Sequence, residues 1–249
     1  MTVRTYAQTV SELIDRRAQK KAQTREQIRG IAHRLFADRG FDNVPIADVA
    51  REAEVAVQTV FNHFATKEEL FFDGRVPWVE GPAEAVRSRD EGVPPLSALR
   101  DSLVGLVGSL VASMATPERR CYVATLEASE TLRSYERELV FEAQRRLAVV
   151  LAEAWGDQAE AGAVPAPADP ATSAALTAAV WMSVARVLVV EQRPRVNAGA
   201  GPRELARTAA AATADVLDQL QANAALTRPL PGAGLPAHTG WPPVVQRAG

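Results

Sequence analysis

A single cysteine, Cys121, stands among 249 residues. That excludes a disulfide framework within the chain and any thiolate metal cluster. There are three histidines, His33, His63 and His238, and their spacing suits no metal. Neither a metal site nor a cofactor is expected. The glycine patterns of nucleophile elbows, phosphate loops and dinucleotide sites are absent as well. Asp and Glu are scattered at the intervals of solvated helix faces, so no catalytic residues and no enzyme are expected. Lysine is nearly absent: of 28 basic residues only Lys20, Lys21 and Lys67 are lysines, all in the first third of the chain. No apolar stretch follows the charges of the N-terminus, so no signal peptide is expected. The longest apolar run, Ala174 to Val190, is short for a membrane span and contains Arg186. These absences lead to the expectation of a cytoplasmic protein with no membrane partner.

The charge is unevenly placed. Arg16, Arg17, Lys20, Lys21, Arg25, Arg29 and Arg34 lie between residues 16 and 34, opposed there by Glu26 alone. Residues 76–228 hold 15 Arg against 19 Asp and Glu. A basic front on a mildly acidic body suits a nucleic-acid-binding head attached to something else.

Helical periodicity dominates what remains. Tyr6, Val10, Leu13 and Ile14 suggest a short N-terminal helix. Thr24 and Gln27 read as a capping box opening a new one, with Ile28, Ile31, Ala32, Leu35 and Phe36 as its apolar stripe and Gly40 as its stop. From Pro45 to Phe64 come two short helices. The first, with Pro45 at its first position, carries Ile46, Val49, Ala50 and Ala53. The second carries Val57, Val60, Phe61 and Phe64. Only Glu54, Val55 and Ala56 remain for the turn, the geometry of a helix-turn-helix. The other side chains of the second helix are Gln58, Thr59, Asn62 and His63, hydrogen-bonding groups with no negative charge among them. Thr66 and Glu69 form another capping box, opening a helix to about Arg75. The dipole of that helix and Lys67 make a ready phosphate site.

Residues 24–75 resemble the N-terminal domain of the TetR family of transcriptional regulators. The resemblance rests on Ala32-x-x-Leu35-Phe36, Gly40-Phe41, Ile46-x-x-Val49-Ala50, the run Gln58-Thr59-Val60-Phe61-Asn62-His63-Phe64, and Lys67-Glu68-Glu69-Leu70, in order and at the family's spacings. It implies an all-α fold, with a three-helix DNA-binding domain followed by a helical ligand-binding and dimerisation domain. It implies DNA-binding roles for Arg25, Val57, Gln58, Thr59, Phe61, Asn62, His63 and Lys67. Gln58, Thr59 and Asn62 match positions that face the major groove, Phe61 and His63 the pair that approaches the backbone, and Lys67 the phosphate-contacting lysine. Phe61 stands where tyrosine is commoner, so a hydroxyl-to-phosphate bond is absent. Glu54 occupies the turn position usual for glycine, and Ala56 that of the usual Ser or Thr cap. Each departure costs on the order of 1 kcal/mol.

Beyond residue 75 the chain reads as a helical body. Short polar helix Ala83 to Glu91 is expected between two Gly-Pro breaks. Longer ones follow from Ser97 to about Met114, from Pro117 through Leu126, over 132–157, from Pro170 to about Glu191, and from about Arg203 to Asn223, with a loop from Pro194 to Pro202. Residues 158–168 read as an exposed linker and 229–249 as a disordered tail. The divisions expected are thus a basic arm at 1–23, the DNA-binding domain at 24–75, a regulatory and dimerisation domain at 76–228, and the tail. The Ala171–Glu191 helix is apolar nearly all round, which agrees with the family's four-helix dimer interface. The resemblance also implies an unidentified small-molecule effector in the body. Its candidate contacts are Trp78, Tyr122, Phe141, Trp181, Met182 and Arg186. Arg186, a charge in an apolar helix, calls for a partner, either a ligand carboxylate or a glutamate such as Glu127 or Glu130.

The function expected is a dimeric, ligand-responsive transcriptional regulator, a repressor released by a small molecule. Its operator would be palindromic double-stranded DNA with half-sites about 34–36 Å apart. The alternative is a helical adaptor whose N-terminal domain binds protein.

Overall fold

The computed structural model describes residues 3–160 and 169–222, and among these all regular structure is helical. Helix α1 runs from Val3 to Arg39 without a break, roughly 55 Å at 1.5 Å per residue. The expected new start at Thr24 is therefore corrected. The Thr24 hydroxyl donates to the Lys20 carbonyl one turn back (3.0 Å), and the Gln27 amide donates across to the Ala53 carbonyl (3.1 Å). No proline or glycine interrupts the chain before Gly30, and Ala, Gln, Arg and Lys all favour helix. The helix stops at Gly40, whose φ of +78° lets its N–H reach the Phe36 carbonyl at 3.0 Å.

Three short helices complete the head: α2 (Ile46–Glu52), α3 (Val57–His63) and α4 (Lys67–Phe72). Pro45 is the N-cap of α2 rather than its first residue. Thr66 caps α4 as expected, accepting from the Glu69 N–H at 3.0 Å. Glu69 answers by accepting from the Ala65 N–H at 2.8 Å, one residue before the cap. Helix α4 ends three residues short of Arg75, because Gly74 turns the chain with a φ of +70°. The Arg29 guanidinium lies against Gly74, so a Cβ there would come within 2.7 Å of it.

The body comprises α5 (Pro77–Arg87), α6 (Pro95–Ser113), α7 (Pro117–Ala128), α8 (Glu130–Glu160), α9 (Pro170–Val190), α10 (Gln192–Asn197) and α11 (Pro202–Ala222). Two elements differ from expectation. Helix α5 absorbs Gly81 and Pro82, and Pro82 is buried inside it, so burial holds a helix that the Gly-Pro pair alone would break. Helix α10 occupies part of the expected loop, with Pro194 near its start where a missing N–H is tolerated. The first residues of the expected linker belong to α8; residues 161–168 and the whole tail at 229–249 lie outside the described residues.

Two cores form. The body core joins Leu99, Leu103, Val107 and Val111 of α6, Leu147 and Leu151 of α8, and Ala174, Ala178 and Trp181 of α9, with Ala209 and Leu217 of α11. This burial accounts for part of the apolarity of α6 and α9, which by length and composition alone could cross a membrane. Helices α6 and α11 approach closely where Gly108 faces Ala210. The head core holds the α1 stripe, Val49, Val60, Phe64 and the α4 residues Leu70, Phe71 and Phe72. Tyr122, Val123 and Leu126 of α7 and Leu132 of α8 belong to this second core. Thus α7 sits in the head as much as in the body.

Candidate nucleic-acid interface and body cavity

Helix α3 is held by its inner face alone: Val60 and Phe64 are 1 % exposed. Val57 and Phe61, which share the apolar spacing, are 41 % and 44 % exposed, so they are surface and not core. Gln58 and Asn62 stand between them on the outside, and the Gln58 amide donates to Asn62 Oδ1 at 3.2 Å. That bond fixes both amides along one face. Thr59 is half-buried at the flank. The turn before α3 has the geometry expected: Glu54 takes a φ of +54°, the one positive value at a non-glycine among the described residues. Ala56 caps α3 with no side-chain bond.

The C-terminal end of α3 is pinned by Arg25. Its guanidinium donates to the His63 carbonyl, lies 4.0 Å above the Phe64 ring, and pairs with Asp73 at 2.5 Å and Glu69 at 3.6 Å. With three polar partners and a ring already in place, Arg25 positions the helix. The His63 ring is half-buried and its Nδ1 has no partner among the described residues. Burial lowers its pKa below the ordinary value, and Lys21 and Arg25 act in the same direction. Lys67 is turned inward: Nζ donates to the Phe41 carbonyl at 2.6 Å and lies 4.2 Å from the Phe41 ring centre. Arg29 and Arg34 are likewise paired, with Glu26 and Asp73 and with Glu52. The unpaired positive charge is Arg16, Arg17, Lys20 and Lys21, all exposed on α1 and without an ion pair among the described residues.

Residues 28–73 match the family model described as bacterial regulatory proteins, tetR family. The chain is 30% identical over 92 residues to the HTH-type transcriptional regulator TcmR of Streptomyces glaucescens; the match spans 37% of this chain and 41% of that relative's length. Its fold is that of NalD, the secondary repressor of the MexAB-OprM multidrug efflux pump in Pseudomonas aeruginosa. The two share 20% identity and a TM-score of 0.51 over 80% of this chain and 96% of the other. The SmeT–triclosan complex has a TM-score of 0.50 at 15% identity, over 78% and 91% of the two chains. The N-terminal domain, residues 28–73, is thus similar to the DNA-binding domain of tetR-family regulators, and the chain spans less than half the length of the relative it matches.

The body carries a partly open cavity of about 60 Å³ between α5, α6, α7, α8 and α9, with Arg193 of α10 also lining it. Trp78, Tyr122, Met182 and Arg186 line it, as the sequence suggested. Phe141 does not: it is 68 % exposed on the outside of α8. Trp181 does not either: it is 2 % exposed and packed into the body core. Both follow from helical phase, since one residue of register separates Trp181 from Met182 on α9.

The glutamate partner expected for Arg186 is corrected too. Arg186 is exposed at the cavity's edge and makes no ion pair among the described residues. The buried charge is Arg193, paired with Glu136 at 3.2 Å and Glu127 at 3.7 Å. Arg119, Glu136 and Arg193 all line the cavity, and reasoning from the sequence missed all three. They sit among other charged and polar residues of α7, α8 and α10, with no pattern to mark them. Burial lowers the pKa of Arg119, and its guanidinium lies 4.4 Å from the Tyr122 ring centre. Tyr122 itself is pushed up to about 12 by burial. It stacks on Phe71 of the head, centroids 5.0 Å apart and planes 15° off parallel. One side chain thus lines the cavity and belongs to the head core.

Proposed function

We propose that the chain is a homodimeric, ligand-responsive repressor that binds a palindromic operator through α3. The observation that carries this is the outer face of α3. Two large apolar side chains, Val57 and Phe61, stand exposed beside a preset amide pair, Gln58 and Asn62. Amides can bond adenine edges in the major groove, and apolar groups can meet thymine methyls and sugars. Thr59 and His63 flank this face. The free cations of α1 continue along the same side as Lys21, whose charge reaches His63. They supply phosphate contacts beside the head.

Arg25 and Lys67 take a different part in this reading. Both hold the head together in the free protein, so they set where α3 and the start of α4 meet the duplex.

Support for a dimer comes from α9 and α11. Ala179, Val180, Ser183, Val184, Val187, Leu188 and Val216 form one open, almost wholly apolar surface. Leu176 and Val187 are 45 % and 51 % exposed, a costly surface for a lone chain. A second copy docked there would form a four-helix interface and set the two heads about 34–36 Å apart, one turn of DNA. Such a regulator would work in the cytoplasm. The effector would occupy the cavity and act through Tyr122 on the head; a protein of this fold, SmeT, has been solved with triclosan.

The test is fluorescence anisotropy of the full chain on selected genomic fragments. Affinity is expected to fall steeply with salt, as phosphate contacts release counterions. Asn62→Ala is expected to cost about 1–3 kcal/mol on the preferred site and to relax specificity there. A salt-independent response would favour the protein-binding adaptor, and unchanged discrimination by Asn62→Ala would remove α3 from the reading.

A further inference from the structure

The cavity's own polar groups state what it can hold. Three guanidiniums line it, Arg119, Arg186 and Arg193, against one carboxylate, Glu136. A fourth cation, Arg75, lies 4.9 Å from the Tyr122 ring centre, close behind. Glu136 is committed to Arg193, and the remaining contact of Arg193, Glu127, is 44 % exposed and so screened by water. Apart from Tyr122, the other lining groups are largely apolar: Trp78, Leu106, Val107, Val140, Met182 and Val189 among them.

The arginines are also incompletely satisfied. Arg119 Nε and Arg193 Nε are both buried and have no hydrogen-bond partner among the described residues. Among the described residues the Arg119 guanidinium donates only to the Arg75 carbonyl, at 3.5 Å, besides lying over the Tyr122 ring. A buried N–H left unmet is unfavourable, and a charged donor more so. The group that would meet two guanidinium donors and offset surplus positive charge in a low-dielectric space is an oxyanion. The apolar remainder of the wall requires an apolar body on that anion.

We propose that the cavity selects a small amphipathic carboxylate, with its oxyanion between Arg119 and Arg193 and its apolar part against Trp78, Val107 and Met182. This rests on the reading of the chain as ligand-responsive, and names the chemistry of the ligand that site would take. A neutral or cationic ligand of the same shape would leave both Nε donors unmet. The partly open space of about 60 Å³ favours a compact acid, a single ring or short chain. An anion that engages Arg119 competes with the Arg75 carbonyl, which lies within the connection from α4 to α5, and acts beside the Tyr122–Phe71 stack.

The experiment uses the full chain without DNA and three probes of one shape: benzoate, benzyl alcohol and benzylammonium. Binding is read by calorimetry and by the fluorescence of Trp78 and its neighbours. Benzoate is expected to bind saturably and at least 10-fold more tightly than benzyl alcohol, with no saturable binding of benzylammonium. Arg193→Gln and Arg119→Gln are each expected to weaken benzoate about 10-fold or more, the loss typical of a charge-assisted hydrogen bond. Glu136→Gln removes the competing carboxylate and is expected to tighten benzoate, a gain that misfolding cannot imitate. Equal binding of the alcohol, preference for the ammonium, binding of none of the three, or a Glu136→Gln variant that binds benzoate no better would each overturn the assignment. DNA binding by the unliganded chain is measured separately. Its failure would strike the proposed function, while failure of benzoate alone would strike only the ligand chemistry.

Discussion

The head and the body are packed with different materials. The head core is built of rings: Phe36, Phe41 and Phe71 form a triangle with centroids 5.1, 5.7 and 6.1 Å apart, and Phe72 meets Phe71 edge-on and Tyr135 in a stack. Cations cover these rings, Arg25 on Phe64 and Lys67 on Phe41. The body core sets two separate rings, Trp155 and Trp181, among small and aliphatic groups, with Ala143, Ala154, Ala174, Ala178, Ala185, Ala206 and Ala209 buried in it. A small domain has little interior, so each buried residue must remove much apolar area, and interlocked rings also fix geometry. Long helices with alanine contacts pack backbone to backbone over a large area and carry fewer interlocking knobs. The difference suits the proposed function, in which the head would hold α3 rigid against DNA and the helices of the body would shift around a ligand.

If that contrast holds, the two cores fail in opposite ways. Phe71→Ala removes a ring that touches Phe36, Phe41, Phe72 and Tyr122, and is expected to cost about 3–5 kcal/mol. Because Tyr122 loses its stacking partner, DNA binding and the response to ligand should fall together. Denaturant unfolding, with amide exchange resolved between α1–α4 and α9–α11, checks both the size and the place of the loss. A loss spread evenly over both regions would mean that the cores are one cooperative unit.

Acid should also find the head first. His33 Nε2 lies 3.0 Å from the Leu70 carbonyl, so the neutral ring donates there. Burial, with Arg75 close by, lowers its pKa to about 4. The unfolded chain, with an ordinary imidazole near 6.5, then binds more protons than the folded one between these values. Stability contributed by neutral His33 is therefore intact at pH 7 and is lost as pH falls from about 6.5 to 4, by up to roughly 3 kcal/mol. His33→Gln, which can still donate to Leu70, should flatten stability over that window, as measured by urea midpoints at stepped pH.

In the body, enlarging a residue should do the damage that truncation does in the head. Ala178 is fully buried on α9. Ala178→Leu is expected to cost about 1–3 kcal/mol by overpacking, with amide protection falling in α8 and α9 and the free head unchanged. Isotope exchange by segment tests this.

The head was legible because its signals are local. The stripe Ile28 to Phe36, the stop at Gly40, the cap at Thr66 and the left-handed turn at Glu54 each depend on residues a few positions apart. Thr24 misled because a capping pair can also sit inside a longer helix, where Gln27 bonds to Ala53 on another element. The cavity was legible only in part. Trp78, Tyr122 and Met182 were suggested by side-chain type, but Phe141 and Trp181 have the same type and face elsewhere. Which face of a long body helix turns inward is decided by partners far away in sequence. Arg193 and Glu136, 57 positions apart, show this most plainly.

The smallest expected effect lies in the turn that aims α3. A left-handed conformation costs a residue with a Cβ about 1–2 kcal/mol, and glycine's extra freedom in the unfolded chain returns part of that. With φ at +54°, Glu54→Gly should therefore stabilise the head by about 0.5–1 kcal/mol, raising its melting temperature by a few degrees. The same change removes a negative charge beside the DNA-facing helix, so affinity at low salt should rise as well. Glu54→Gln separates the two effects: it keeps the strained backbone and loses the charge, and should raise affinity with no gain in melting temperature. If instead Glu54→Gly melts no higher than the parent, the turn is not storing strain, and the rigidity of α3 must come from the ring core beneath Val60 and Phe64 alone.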